Sequence, residues 1–202
     1  MSIFTPDNEP YLGRECLLAF DQLIIASLKA NESIAPRTHT MEMNRLQLAA
    51  CQIIPSGISF ALSIRELVRQ AYLYCALVLG LPLAERAITV LYLHRYPENL
   101  AQWDRGWSYK ERPTLARMLN QIGADKFPNV GQELTRSMNS LAHGDPASAL
   151  WNMIATGENS YAHPVSKILD RPDISDRVSA EASAWLSVLI SMAIASFPGE
   201  PA

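Results

Sequence analysis

Between residues 56 and 79 the apolar side chains repeat at helical spacing over most of the circumference, a pattern that suits the interior of a helical bundle. Phe60, Ala61, Ile64, Leu67, Val68, Ala71, Tyr74, Cys75 and Val78 share one wide face, while Leu62 and Leu73 fall on the far side beside Arg65, Glu66 and Arg69. A helix apolar on nearly all sides has to be surrounded by others. Upstream, Pro55 and Gly57 are expected to break or kink the preceding helical stretch. Downstream, Gly80 and Pro82 are expected to end the run.

The rest of the chain reads as further helices around this one. Leu17, Phe20, Ile24 and Leu28 make one apolar stripe, which predicts a helix over 11–30. Residues 31–40 read as a loop, and a helical stretch starts near Met41. Helices are expected over 83–96 and 114–122, the second stopped by Gly123. A turn at Phe127-Pro128-Asn129 leads into a helix over 130–143. Gly144 ends that helix, and Asp145-Pro146 caps a new one running to about residue 155. Residues 156–172 read as irregular, and a last helix covers about 174–196. Strand-like alternation, internal repeats and linkers are missing. The expectation is an all-α, single-domain bundle of six or seven helices over 1–202, with the bundle core at about 41–197.

Composition narrows the setting. A chain of 202 residues suits one domain with a sizeable core. Charged residues are only 18%, below the usual quarter, so extra surface should be buried, most simply between two copies in a homodimer. A net charge of -3 argues against a general basic nucleic-acid coat. Yet 13 Arg stand against 4 Lys, which leaves room for a local planar-anion site. Cys16, Cys51 and Cys75 are far apart and form no CxxC pair. They read as buried, reduced thiols of a cytoplasmic protein, neither disulfide nor zinc ligands.

Residues 1–16 hold Asp7, Glu9, Arg14 and Glu15 and no apolar run, unlike a secretory signal. The apolar runs 71–84 and 182–197 look shorter than the roughly 20 residues a membrane span needs. Both are therefore assigned to core helices, with no membrane association expected.

Three constellations bear on chemistry. The first is the helix over 130–143. Val130, Leu134, Met138 and Leu141 form its apolar face, and Gln132, Arg136, Asn139 and His143 recur on the opposite one. Residues seven apart stand nearly above one another. Arg136 could therefore steady charge on a phosphate while His143 moves a proton near neutral pH. The plainer reading is a solvated face ending in a well-placed His at a helix C-terminus.

The second is Arg65, Glu66 and Arg69, expected either to form an ion pair inside the bundle or to lend an Arg to an anion cleft near His143. The third is Trp103-Asp-Arg-Gly-Trp107-Ser-Tyr109-Lys110, where rings and cations alternate. Such a segment either stacks bases and holds phosphates or covers a gap in the core. No phosphate-binding glycine loop, GxSxG or HExxH is present, and His39, His94 and His163 show no metal-site spacing. No cofactor or metal is expected.

The stretch Arg136-Ser-Met-Asn-Ser-Leu-Ala-His143, with six residues between Arg and His, resembles the Arg-x4-6-His signature of the HEPN-like superfamily (higher eukaryotes and prokaryotes nucleotide-binding). The helix bearing Ser63 to Arg69, the ending Leu141-Ala-His-Gly144 and the long apolar last helix fit that layout loosely. The branch it looks like is a bacterial one of uncharacterised proteins. The resemblance implies a helical bundle that pairs into a dimer, with Arg and His of both subunits facing one cleft. It implies a metal-independent endoribonuclease acting through Arg136 and His143; beside them, Asn139 on the same face is the candidate for positioning the phosphate, and Gln132, Arg65 and Arg69 are candidate substrate contacts. Ser137 stands where the commonest pattern has Asn, Asp or His. That departure keeps open a catalytically silent module that binds a nucleotide, RNA or a protein partner such as an antitoxin.

Overall fold

In the computed structural model, residues 9–36, 42–108, 110–123, 130–143, 146–149, 151, 153–163 and 167–198 are described. The expectations for the start near Met41, for His39 and Tyr109, for the turn at 127–129 and for the Gly144-Asp145 cap lie outside them. The fold is all-α apart from one small hairpin. Four long helices form the frame: α1 (Glu15–Ile34), α2 (Arg45–Arg69), α3 (Leu73–Arg95) and α8 (Pro172–Ser196). Between α3 and α8 come a single 3-10 turn (Pro97–Asn99), then α4 (Leu100–Asp104), α5 (Leu115–Gly123), α6 (Val130–His143) and α7 (Pro146–Ala149). The hairpin β1 (Ile154–Gly157) and β2 (Ser160–Ala162) follows.

α2 and α3 pack along each other, and α8 lies against α1, α2 and α3. α2 and α8 each touch all three other members of the frame, and the 56–79 stretch spans the corner between α2 and α3. Ser175, Ser179, Ala182 and Ala193 are buried on α8; their small side chains let three neighbours approach closely. Phe20, Ile54, Ile64, Leu83, Ile88, Leu93 and Ile174 fill the core between the four. Each contributes about 1.5–3 kcal/mol when removed from water.

The expected helix ends move in several places: α1 begins at Glu15 rather than near residue 11 and runs on to Ile34, into the stretch expected as loop. Pro55 and Pro82 sit inside α2 and α3, and neither stops its helix. Burial on both sides holds each helix together across the backbone bond that proline removes. The break comes instead at Ala71, whose φ is +62°. There the Tyr72 N–H donates to the Leu67 carbonyl at 2.8 Å and the Ala71 N–H to Val68 at 3.0 Å, the paired bonds that close a helix through a left-handed residue. Glycine usually fills that position, which is why the corner is not obvious from the chain. Finally, the stretch after α7 folds as an exposed antiparallel hairpin, pairing Ile154 with Ala162 and Ala155 with Tyr161, where a helix to residue 155 and then irregular chain are expected.

Tertiary bonds fix the ends. Asn44 and Gln47 cap α2 reciprocally at 2.9 and 3.0 Å, and the Gln47 amide reaches the Ser196 carbonyl at the end of α8. The Ile168 N–H donates to the Ala71 carbonyl at 2.9 Å, and the Tyr11 hydroxyl donates to the Ile168 carbonyl. The α2–α3 corner is thereby tied to both the N-terminal turn and the approach to α8. Continuity through the prolines also changes the length argument about membranes: α2, α3 and α8 are each long and apolar enough, by length and composition, to cross one.

Candidate functional site

α6 is held against the frame at its C-terminal end. Leu141 is buried, and its carbonyl accepts the Tyr74 hydroxyl of α3 at 3.0 Å. Leu141 and Ala142 share a recess of about 430 Å³ with Leu67, Tyr74, Cys75 and Val78. Along its length α6 packs on α5 and α3. α5 is fastened in turn, because Arg95 and the Tyr96 hydroxyl at the end of α3 donate to the Ile122 and Gln121 carbonyls of its last turn. This covers orphan carbonyls of a helix terminus.

Anchored by Leu141, α6 leaves Arg136, Asn139 and His143 exposed. Their positions seven and three or four apart put the three on one side. Neither Arg136 nor His143 forms an ion pair among the described residues. Among the described residues nothing walls this face. The Gln132 side chain lies outside the described residues.

The two candidate cations in the second half of α2, Arg65 and Arg69, are engaged elsewhere. Arg65 is mostly buried and grips Asp21 of α1 with Nε and Nη2, and Glu9 with Nη2 at 2.9 Å. Burial works against its charge, but the bonds to Asp21 and Glu9 outweigh that and raise its pKa. Its Nη1 is buried without a partner among the described residues. Arg69 instead holds Glu66 at 2.6 and 2.7 Å on the exposed side of the helix. That bond, with one from Gln70, draws the Glu66 carboxyl down to about 2. Arg65 and Arg69 thus part company despite their i, i+4 spacing, and Arg65 ties α1 to α2.

The aromatic segment covers part of the core, one of the two outcomes its sequence allowed. Trp103 and Trp107 pack on the core, yet both line a cavity of about 470 Å³. Its other walls come from α2, α3 and Arg112, and include Ser56, Arg86 and Thr89, which the sequence reading did not single out. Arg86 carries the only available signal, a lone cation in the apolar run 83–93. The cysteines depart from expectation: Cys16 and Cys51 are half-buried and Cys75 is exposed. Burial raises the Cys51 thiol pKa, so it is held protonated beside Met43, whose sulfur lies 3.6 Å away. Among the described residues no group of three His, Cys, Asp or Glu is arranged to hold a metal ion. Comparison with protein-family models, with curated proteins and with solved structures finds no match.

Proposed function

We propose that the chain is a HEPN-like, metal-independent endoribonuclease that works through the exposed face of α6. The observation that carries this is the pairing of Arg136 and His143 on one face with no ion-pair partner among the described residues, while Arg65 and Arg69 are committed to carboxylates. Arg136 would bind the scissile phosphate through its fork of N–H groups and steady the charge of the pentacovalent state. His143 would take the proton from the attacking 2′-hydroxyl or return one to the leaving oxygen. Asn139 would hold a non-bridging oxygen.

The openness of the face favours a second reading. Catalysis of this kind gains from a walled, dry site, and the described residues of a single copy leave Arg136, Asn139 and His143 exposed. A second copy facing the first would supply the wall; without it, the same face is a binding module for RNA.

The test is incubation of the purified protein with total RNA in excess chelator. Cleavage is expected, with His143→Ala lowering it at least 100-fold and Arg136→Lys nearly as much. Both variants should melt within about 2 °C of the parent, because neither side chain is packed. Intact RNA, or undiminished cutting by His143→Ala, would sink the enzyme reading. If RNA is retained on the protein and lost with Arg136→Ala, the binding module takes its place.

A further inference from the structure

The cavity under the aromatic segment carries an inference independent of α6. Its floor is the pair α2–α3, which approach so closely that an added Cβ at Gly57 would stand 3.3 Å from the Arg86 Cβ. Across that contact Arg86 is partly buried, its Nε donating to the Ser56 hydroxyl at a long 3.3 Å. Its guanidinium lies 5.7 Å from the Phe60 ring centre. No carboxylate pairs with it among the described residues, and the adjacent Glu85 faces Arg112 at 3.7 Å. A guanidinium has five N–H donors, and a partly buried one with a single weak neutral bond is costly. The other half-buried Arg side chains among the described residues show the contrast: Arg14, Arg65, Arg69, Arg171 and Arg177 each hold a carboxylate.

Above Arg86 sit two indole rings. Trp103 and Trp107 reach the same cavity because the turn between them is closed by the Gly106 N–H on the Trp103 carbonyl at 2.9 Å, with Gly106 at φ +72°. Arg112, Gln52, Ser56 and Thr89 add polar groups to the walls. The Trp107 indole N–H is buried and lacks an acceptor among the described residues. Such unmet groups in a native fold call for an explanation. About 470 Å³ falls within the range of small-molecule sites.

We infer that this cavity binds a small anion carried on a flat ring, the ring against Trp103 and Trp107 and the phosphate or carboxylate on Arg86 and Arg112. Ring stacking supplies attraction that tolerates different rings, and the two guanidiniums select for the anionic group. The charge of Arg86 thereby finds the partner that the described residues do not provide.

Titration of the full-length protein, followed by tryptophan fluorescence and by melting temperature, tests this. The probes are adenosine, guanosine and uridine 5′-monophosphates, indole-3-carboxylate, the uncharged nucleosides and inorganic phosphate. Saturable quenching is expected with the nucleotides or with the carboxylate, and which arm responds identifies the anionic group. The nucleosides and inorganic phosphate should each bind at least 10-fold more weakly, because each lacks one half of the recognition. Arg86→Gln should weaken binding at least 10-fold without lowering the melting temperature of the free protein, as it removes an unpaired charge. Arg112→Gln, a change at an exposed side chain that the fold tolerates, should weaken it several-fold and gives a reading if Arg86→Gln fails to fold. Arg136→Ala should bind within twofold of the parent, which separates this cavity from α6. No saturable response to any ring-bearing anion, or equal binding by both the Arg86 and Arg112 variants, overturns the proposal.

Discussion

Arg65 and Arg69 stand one turn apart on α2, and their surroundings give them different weights. Removing Arg65 strands Asp21 and Glu9, both under a third exposed, against the same side of the frame. Breaking a fully buried pair costs about 3–5 kcal/mol; for this partly buried one, Arg65→Ala is expected to cost about 2–3 kcal/mol in urea titration. Arg69→Ala should cost below about 1 kcal/mol, because Glu66 is half exposed and water screens the pair. A cost for Arg69→Ala equal to that for Arg65→Ala would contradict this ordering. The same pair sets an acid limb. The Glu66 carboxyl is drawn from 4.5 to about 2, so its contribution is present above its unfolded pKa and is lost as pH falls from about 4.5 through 2. Arg171 lowers Asp173 and Arg14 lowers Asp176 by hydrogen bonding, with the same sign. Stability should therefore decline over that window, and Glu66→Gln should flatten part of the decline in melts at stepped pH. An unchanged acid limb in Glu66→Gln would show that the pair does not contribute.

At the scale of the element, apolar periodicity carried most of the information and punctuation residues carried less. Leu17, Phe20 and Ile24 of the α1 stripe are buried, as are Ile64 and Val68, whereas Leu28, the last member of that stripe, stands exposed. The ends fail where packing overrides local preference: α2 and α3 run through Pro55 and Pro82 and part at an alanine. The pairing of Glu66 with Arg69 was legible from i, i+3 spacing, whereas the union of Arg65 with Asp21 and Glu9 needed the fold. Arg86 was hidden for the same reason, since only the docking of the Trp103–Trp107 turn turns a lone cation into a wall of a cavity. Two substitutions test this primacy of packing. Helix propensity alone favours Gly57→Ala by about 1 kcal/mol. Its new Cβ would stand 2.5 Å from Leu189 Cδ1 in the buried α2–α8 contact, so a net loss of about 1–2 kcal/mol is expected. Ala71→Val should cost about 2–4 kcal/mol, as it puts a branched residue at positive φ in a fully buried corner. Stabilisation by Gly57→Ala would mean that α2 and α8 are less tightly apposed than 2.5 Å implies.

Taken whole, the molecule leaves a good deal of apolar surface outside its own core. Only 39% of the apolar window of α8 and 44% of that of α2 is buried within the chain. Leu18, Ile25 and Leu28 stand exposed on α1, Leu48 and Leu62 on α2, and Ile194 on α8. Scattered exposed leucines are ordinary, but a concentration on the long frame helices asks for a cover. The low charge of the sequence already pointed this way; where the surplus lies depended on which faces α1, α2 and α8 use on one another. Two covers are chemically distinct. A second copy would bury these faces in a self-complementary contact and would also bring two α6 faces within one assembly, as the ribonuclease proposal requires. A bilayer would take the same helices lengthwise. The first is our expectation: light scattering without detergent should return about twice the 22.4 kDa chain mass. Leu18→Lys combined with Ile25→Lys should then shift the protein toward one chain, since two ammonium groups on one side of α1 cannot be buried unpaired. A mass of 22.4 kDa at tens of micromolar would reject the dimer, and a chain recovered only with detergent would point to the bilayer.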